Sequence, residues 1–179
     1  MIAFRHVAPL RPFLWTERSQ PDARWHAEGE GPVQYLSDTP DGAWAEFLRA
    51  EGICDVADLL VARRTLWAVD IGTEELATPR LPVDVLTGGR ETWEACRQEA
   101  RRLRAAGATG LRARSAALRP GMARGSRVDA GRLVPGEERS GDTIVLFGPR
   151  PDLVGWRAAF LGRPAEVLLE AVRHFGPSA

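Results

Sequence analysis

Six residues carry the side chains with which this chain could do chemistry: Arg5, Arg24, His26, Tyr35, Glu46 and Ser115. The two arginines offer planar forks of donors suited to a pyrophosphate, although either could equally be a surface cation. Tyr35 is the one tyrosine and ends an apolar strand pattern. Its flat ring could stack on a planar ligand, or serve as core with the hydroxyl hydrogen-bonded. Glu46 stands in a helical pattern whose buried face is Trp44, Phe47 and Leu48, with Ala43 at the border. It falls at the rim of that face, beside Ala43 and Ala50, where small neighbours leave room for a ligand; the alternative is a solvated glutamate. Ser115 alternates inward on a strand, a place where serine is more often structural than catalytic.

Elements must hold these residues in place, and the pattern supplies them. IAFRHV at 2–7 reads as a strand carrying Arg5, and PVQYLS at 32–37 as one with Val33, Tyr35 and Ser37 on one face. Between them, three prolines predict irregular surface chain. Thr39-Pro40 is a helix start, with a capping hydroxyl before a proline at the first helical position, and Gly52 is the expected stop. TLWAVDI at 65–71 is a strand. A helix over 92–106 places Trp93, Cys96, Ala100 and Leu103 on one stripe. TGLRARSAAL at 109–118 alternates as a strand, and DTIVLFGP is apolar enough to lie inside a sheet. Residues 119–142, rich in Gly and Arg, predict a long loop or lid. PAEVLLEAVRHF has helical spacing at Val167, Leu168, Ala171, Val172 and Phe175. Strands and helices mix without a βαβ rhythm, so the expected class is α+β in a single domain spanning 1–179.

Composition narrows the function classes. The chain has 179 residues, 44% hydrophobic and 27% charged, and a formal net charge of zero. No global field draws it to nucleic acid or an anionic membrane, so neither is an expected partner. All 24 basic residues are arginine. The stripe RQEARRLR at 97–104 reads as the outer face of an amphipathic helix. There is no GxGxxG after a strand, no GxxxxGK[ST], no HExxH and no GxSxG. Cys54 and Cys96 are isolated and are expected to be small buried hydrophobes in a reduced compartment, and the three histidines are scattered, so no metal site is expected. The N-terminal stretch MIAFRHVAPLRPFLW lacks the apolar core of a signal peptide, and no apolar run could span a bilayer; a cytoplasmic protein is the expectation.

Taken in order, these blocks resemble the RES domain family, named for a shared arginine, glutamate and serine. FRHV resembles its early arginine strand (Arg5), RWHAEGEGPVQYLS its Arg-Trp to tyrosine block (Arg24, Tyr35), and PDGAWAEFL its helix with the glutamate (Glu46). GATGLRARS resembles its serine strand (Ser115) and TIVLF its late apolar strand. The resemblance implies an ADP-ribosyltransferase-like fold of small, mostly antiparallel sheets flanked by helices. It implies NAD⁺ as substrate, cleaved at the nicotinamide–ribose bond by hydrolysis or phosphorolysis, with no metal. It further implies a toxin of a toxin–antitoxin pair, with the antitoxin a separate protein. Two alternatives remain: a protein ADP-ribosyltransferase using the same site, and a non-catalytic NAD-binding or protein-interaction module. By the resemblance Arg5 and Arg24 would hold the pyrophosphate or ribose, and Tyr35 would pack on nicotinamide or ribose. Glu46 would stabilise the oxocarbenium-like transition state, and Ser115 would orient the ligand through its hydroxyl. Two departures stand out: His26 replaces the family's usual asparagine and would make binding pH-dependent if it touches the ligand, and 119–142 is longer than the pattern.

Overall fold

The computed structural model describes residues 1–17 and 19–175. In chain order the elements are β1 (Ile2–Val7), β2 (Val33–Ser37), α1 (Pro40–Glu51), α2 (Val56–Val61), β3 (Arg64–Asp70), α3 (Val83–Thr87), α4 (Trp93–Ala105) and β4 (Gly110–Arg114). After them come β5 (Ser126–Asp129), β6 (Arg132–Pro135), β7 (Asp142–Phe147) and β8 (Val154–Gly162). Six strands form one sheet in the order β4-β7-β2-β1-β3-β8, every neighbour antiparallel. The class is α+β, as the mixed pattern predicts. Among the described residues no helix is long and apolar enough to cross a membrane.

The period-2 alternation of each strand divides the core between the sheet's two faces. On one face α1 packs Ala43, Trp44, Phe47 and Leu48 with Leu66, Leu118 and Leu168, and α4 packs Cys96, Ala100 and Leu103 with Val33, Leu111 and Val145. The opposite face buries Ala3, Leu36, Val69, Ile144 and Leu146, with Phe13 and Leu14 of the irregular N-terminal segment against it. Strands β1 and β2 share one register pair, Phe4↔Ser37, whereas β1 runs beside β3 for six pairs from Ile2↔Asp70 to Val7↔Thr65. Beyond Phe4 and Ser37, β1 and β2 part, and the sheet is open between the two helix-packed clusters.

Helix α1 begins and ends where its sequence says it should. The Thr39 hydroxyl accepts the Gly42 N–H at 3.1 Å, Pro40 opens the first turn, and Gly52 closes the helix at φ 68° in the left-handed region that glycine adopts without penalty.

Three expectations fail. Residues 119–142 are no long loop: β5 and β6 pair as a hairpin from Ser126↔Pro135 to Asp129↔Arg132, and Ala123 bridges Arg139. The spacing in PAEVLLEAVRHF yields a 3₁₀ helix over Glu166–Ala171 alone. Its three-residue period puts buried Leu168 and Ala171 on one face, and Val172 leaves it extended at ψ 138°. Cys54, expected inside, is exposed, while Cys96 is buried; the turn at Gly52 carries Cys54 off the end of α1.

Candidate active site

A cavity of about 390 Å³ opens where β1 and β2 part, walled by α1 on one side and by the 22–24 and 90–93 segments on the other. Glu46 enters it from the second turn of α1. Its Oε1 accepts hydrogen bonds from Thr143 Oγ1 at 3.3 Å and from Ser115 Oγ at 3.4 Å. Burial pushes the carboxyl above the usual carboxylate range, opposed by the positive charges of Arg49 and Arg24 and by the two hydroxyls. A carboxylate in a semi-enclosed, arginine-rimmed cavity is positioned to stabilise a positive charge growing on a bound ligand.

Tyr35 lies across from it on β2, and its hydroxyl faces away from any ligand. That oxygen accepts the Trp25 N–H at 3.1 Å and lies 2.9 Å from His26 Nδ1. With the acceptor lone pair engaged by Trp25, the phenol donates to an unprotonated Nδ1. Burial, then Arg104, holds the His26 imidazole below its ordinary pKa, which favours the neutral ring that has one nitrogen able to accept. The ring of Tyr35, not its oxygen, is what the cavity offers. His26 is fully buried and does not border the cavity; the expected ligand contact is instead a support behind Tyr35.

Ser115 also stands behind the wall. Its Oγ accepts the N–H groups of Ala117 (3.2 Å) and Leu118 (3.0 Å) and donates to Glu46. A hydroxyl with both acceptor sites and its proton engaged holds the carboxylate and the turn at the end of β4, and has nothing left with which to orient a ligand.

The arginines divide differently from expectation. Arg24 borders the cavity, but its two terminal nitrogens donate to Val85 O (3.2 Å), Thr92 Oγ1 (2.9 Å) and Gly88 O (2.6 Å), tying the 85–92 segment down. Arg5 borders the cavity through its strand, while its guanidinium donates to Gln34 Oε1 at 2.8 Å. Gln34 alternates away from Tyr35 and bonds Trp15 and Gly148, so Arg5 fills the part between β1 and β2 from the opposite face. Burial lowers its pKa to about 10.

Several lining residues escaped sequence reasoning. Arg49, one turn beyond Glu46, is 5% exposed. It donates to Ala116 O and, at 2.9 Å, to the Gly88 carbonyl that Arg24 also uses. Burial lowers its pKa to about 10. A signal existed: an arginine at i+3 from a helical glutamate shares its face. Thr143 is legible only as the residue that strand alternation places beside Ser115's neighbour Ala113. His6 packs its ring on Phe47 at 5.3 Å and is held neutral, with a pKa near 3, by burial and then by Arg64 and Arg5. Phe175 and Trp93 complete the rim. Among the described residues no group of three or more His, Cys, Asp or Glu is placed to hold a metal ion. None of the residues from 119 to 142 borders the cavity, so the hairpin is not its lid.

Comparison with known proteins gives two results. A model of the RES domain matches residues 3–159. Among solved structures the chain is similar to one in the crystal structure of the M. tuberculosis MbcT–MbcA toxin–antitoxin complex, with TM-score 0.61 and 17% identity over 87% of this chain and 84% of that one. At that identity the likeness is one of fold. No curated protein matches the sequence.

Proposed function

This chain belongs to the RES domain family, and from that premise we propose that it consumes NAD⁺, breaking the bond between nicotinamide and ribose. The observation that carries the reading is the pairing of Glu46 with the ring of Tyr35 in one arginine-rimmed cavity. The pyridinium nitrogen of NAD⁺ is cationic, so the C–N bond can break with its electron pair going to a neutral leaving group. Positive charge then builds on the ribose, and a carboxylate held beside it lowers the barrier, as in glycoside hydrolysis. An oxygen of water or phosphate attacks the ribose carbon and loses its proton, giving ADP-ribose or its phosphorylated form.

Within this reading the chain's own residues divide the work. Glu46 faces the reacting ribose. Tyr35 presents its ring to nicotinamide or ribose, locked by Trp25 and His26. Ser115 and Thr143 aim the carboxylate. Arg49, with Arg24 behind it, supplies positive potential for the pyrophosphate; a dinucleotide that engages Arg24 directly has to share it with the 85–92 segment. The reaction needs no metal.

The toxin role rests on the same premise and on fold likeness to a chain from a toxin–antitoxin complex. We assign this protein the toxin part, with a separate antitoxin protein as partner. Expression alone should arrest growth, and co-expression with the antitoxin should relieve it; unimpaired growth alongside measurable NAD⁺ turnover in vitro would remove the toxin role and leave the enzyme. Incubating purified protein with NAD⁺, with and without phosphate, separates hydrolysis from phosphorolysis by product.

A further inference from the structure

The family match ends at residue 159, yet the cavity's rim includes Phe175. Phe175 sits in a row of flat groups. The Arg49 guanidinium carbon lies 4.2 Å from its ring centroid, that of Arg90 5.4 Å, and the Trp93 ring meets it at 6.4 Å with a 66° tilt. Arg90 in turn lies 5.8 Å from the Trp93 ring.

The members of this row are not equally fixed. Arg49 is almost fully buried and hydrogen-bonded to two backbone carbonyls, and its Nε is buried with no partner. Phe175 and Trp93 are half-buried, and Arg90 is exposed. A flat ring needs about 3.5–4 Å on either side, and among these groups Arg90 is the one free to swing and provide it. The result is a flat apolar surface, left partly open at the mouth of a polar, arginine-rich cavity. Core packing does not account for that exposure, and a protein surface that stacks bases uses the same parts, an aromatic face with guanidinium beside it.

We propose that Phe175, with Trp93 and Arg90, is a stacking subsite for one of the two flat bases of the dinucleotide, and that Phe175 is a specificity-determining residue of this chain. The proposal rests on the NAD⁺ reading above. Phe175 is a wall of the cavity and not a plug within it, so removing it weakens binding and does not release activity.

The test compares steady-state turnover of NAD⁺ and of nicotinamide mononucleotide, which lacks the adenosine half, by wild type and by F175A, F175L and F175Y. With NAD⁺, F175A should raise KM about tenfold while leaving kcat within about twofold, the size expected for losing one base–aromatic stack. F175L, which keeps apolar bulk without a flat face, should behave like F175A, and F175Y like wild type. A KM effect with NAD⁺ but not the mononucleotide assigns the subsite to adenine; an effect with both assigns it to nicotinamide. An unchanged KM for both substrates overturns the proposal, as does a gain in kcat/KM on truncation, or an F175L that matches wild type. Wild-type protein that turns over neither substrate overturns the NAD⁺ reading along with it.

Discussion

Glu46 is the residue on which the site turns, and its environment makes a thermodynamic demand. Its folded pKa lies above the ordinary value of 4.5 because burial outweighs the arginines and hydroxyls. Between 4.5 and that raised value the folded state keeps a proton that the unfolded state has released, so stability falls as pH rises through the window. Glu46→Gln keeps the acceptor and removes the charge. It should be more stable than wild type at pH 8 and equal to it at pH 4, measured by urea midpoints; an equal gain at both would mean that the charge is not the cause. Ser115 acts through Glu46. Ser115→Ala leaves the Ala117 and Leu118 N–H groups without an acceptor and should cost about 1–3 kcal/mol. It should also reduce kcat with little change in KM; a rise in KM alone would return Ser115 to the ligand. At this scale the sequence named Glu46, Tyr35 and Arg24 as neighbours of a cavity but misjudged what several side chains face. His26, Ser115 and the Tyr35 hydroxyl are occupied by backbone N–H groups and by one another, and such partners come from tertiary contact that no spacing encodes. Arg49 was missed because a cation one turn from an acid reads as an exposed helix pair.

The elements that carry local signals were legible. α1 has a cap, a proline and a stop glycine in their places, and β1, β2, β3, β4 and β7 fall within the stretches whose alternation or apolar run marked them as strands. β8, VGWRAAFLG, lies at the sheet edge with most of its residues exposed and has no alternation to read. The C-terminal segment has helical spacing in too few residues to sustain an α-helix, and forms a 3₁₀ turn that delivers Phe175 to the rim. The β5–β6 hairpin defeats the lid expectation because its strands pair with each other and none of its residues borders the cavity, Val128 and Leu133 lying exposed. Replacing residues 126–135 with a short turn should leave NAD⁺ turnover within about twofold of wild type. Loss of turnover from a variant with unchanged melting temperature would make the hairpin part of the site after all.

At the scale of the molecule, all three histidines are held below their ordinary pKa, each chiefly by burial, with His6 lowered to about 3. From there up to 6.5 the unfolded chain binds protons that the folded chain excludes, so stability rises with pH and is lost on acidification. Glu46 slopes the other way, one group against three. In Glu46→Gln, which removes the opposing slope, the urea midpoint should therefore climb between pH 5 and pH 7, and a flat profile would show that the histidines are solvated. The class and the order of its strands bring one carboxylate, one ring and a set of arginines to the place where two strands part, and the central claim is that this arrangement cleaves NAD⁺. The direct measurement is nicotinamide release from NAD⁺ by wild type and Glu46→Gln, both shown to be folded by circular dichroism. The account requires turnover by wild type and a loss of about 100-fold or more in kcat for the variant; no release by folded wild type, or equal release by both, would contradict it.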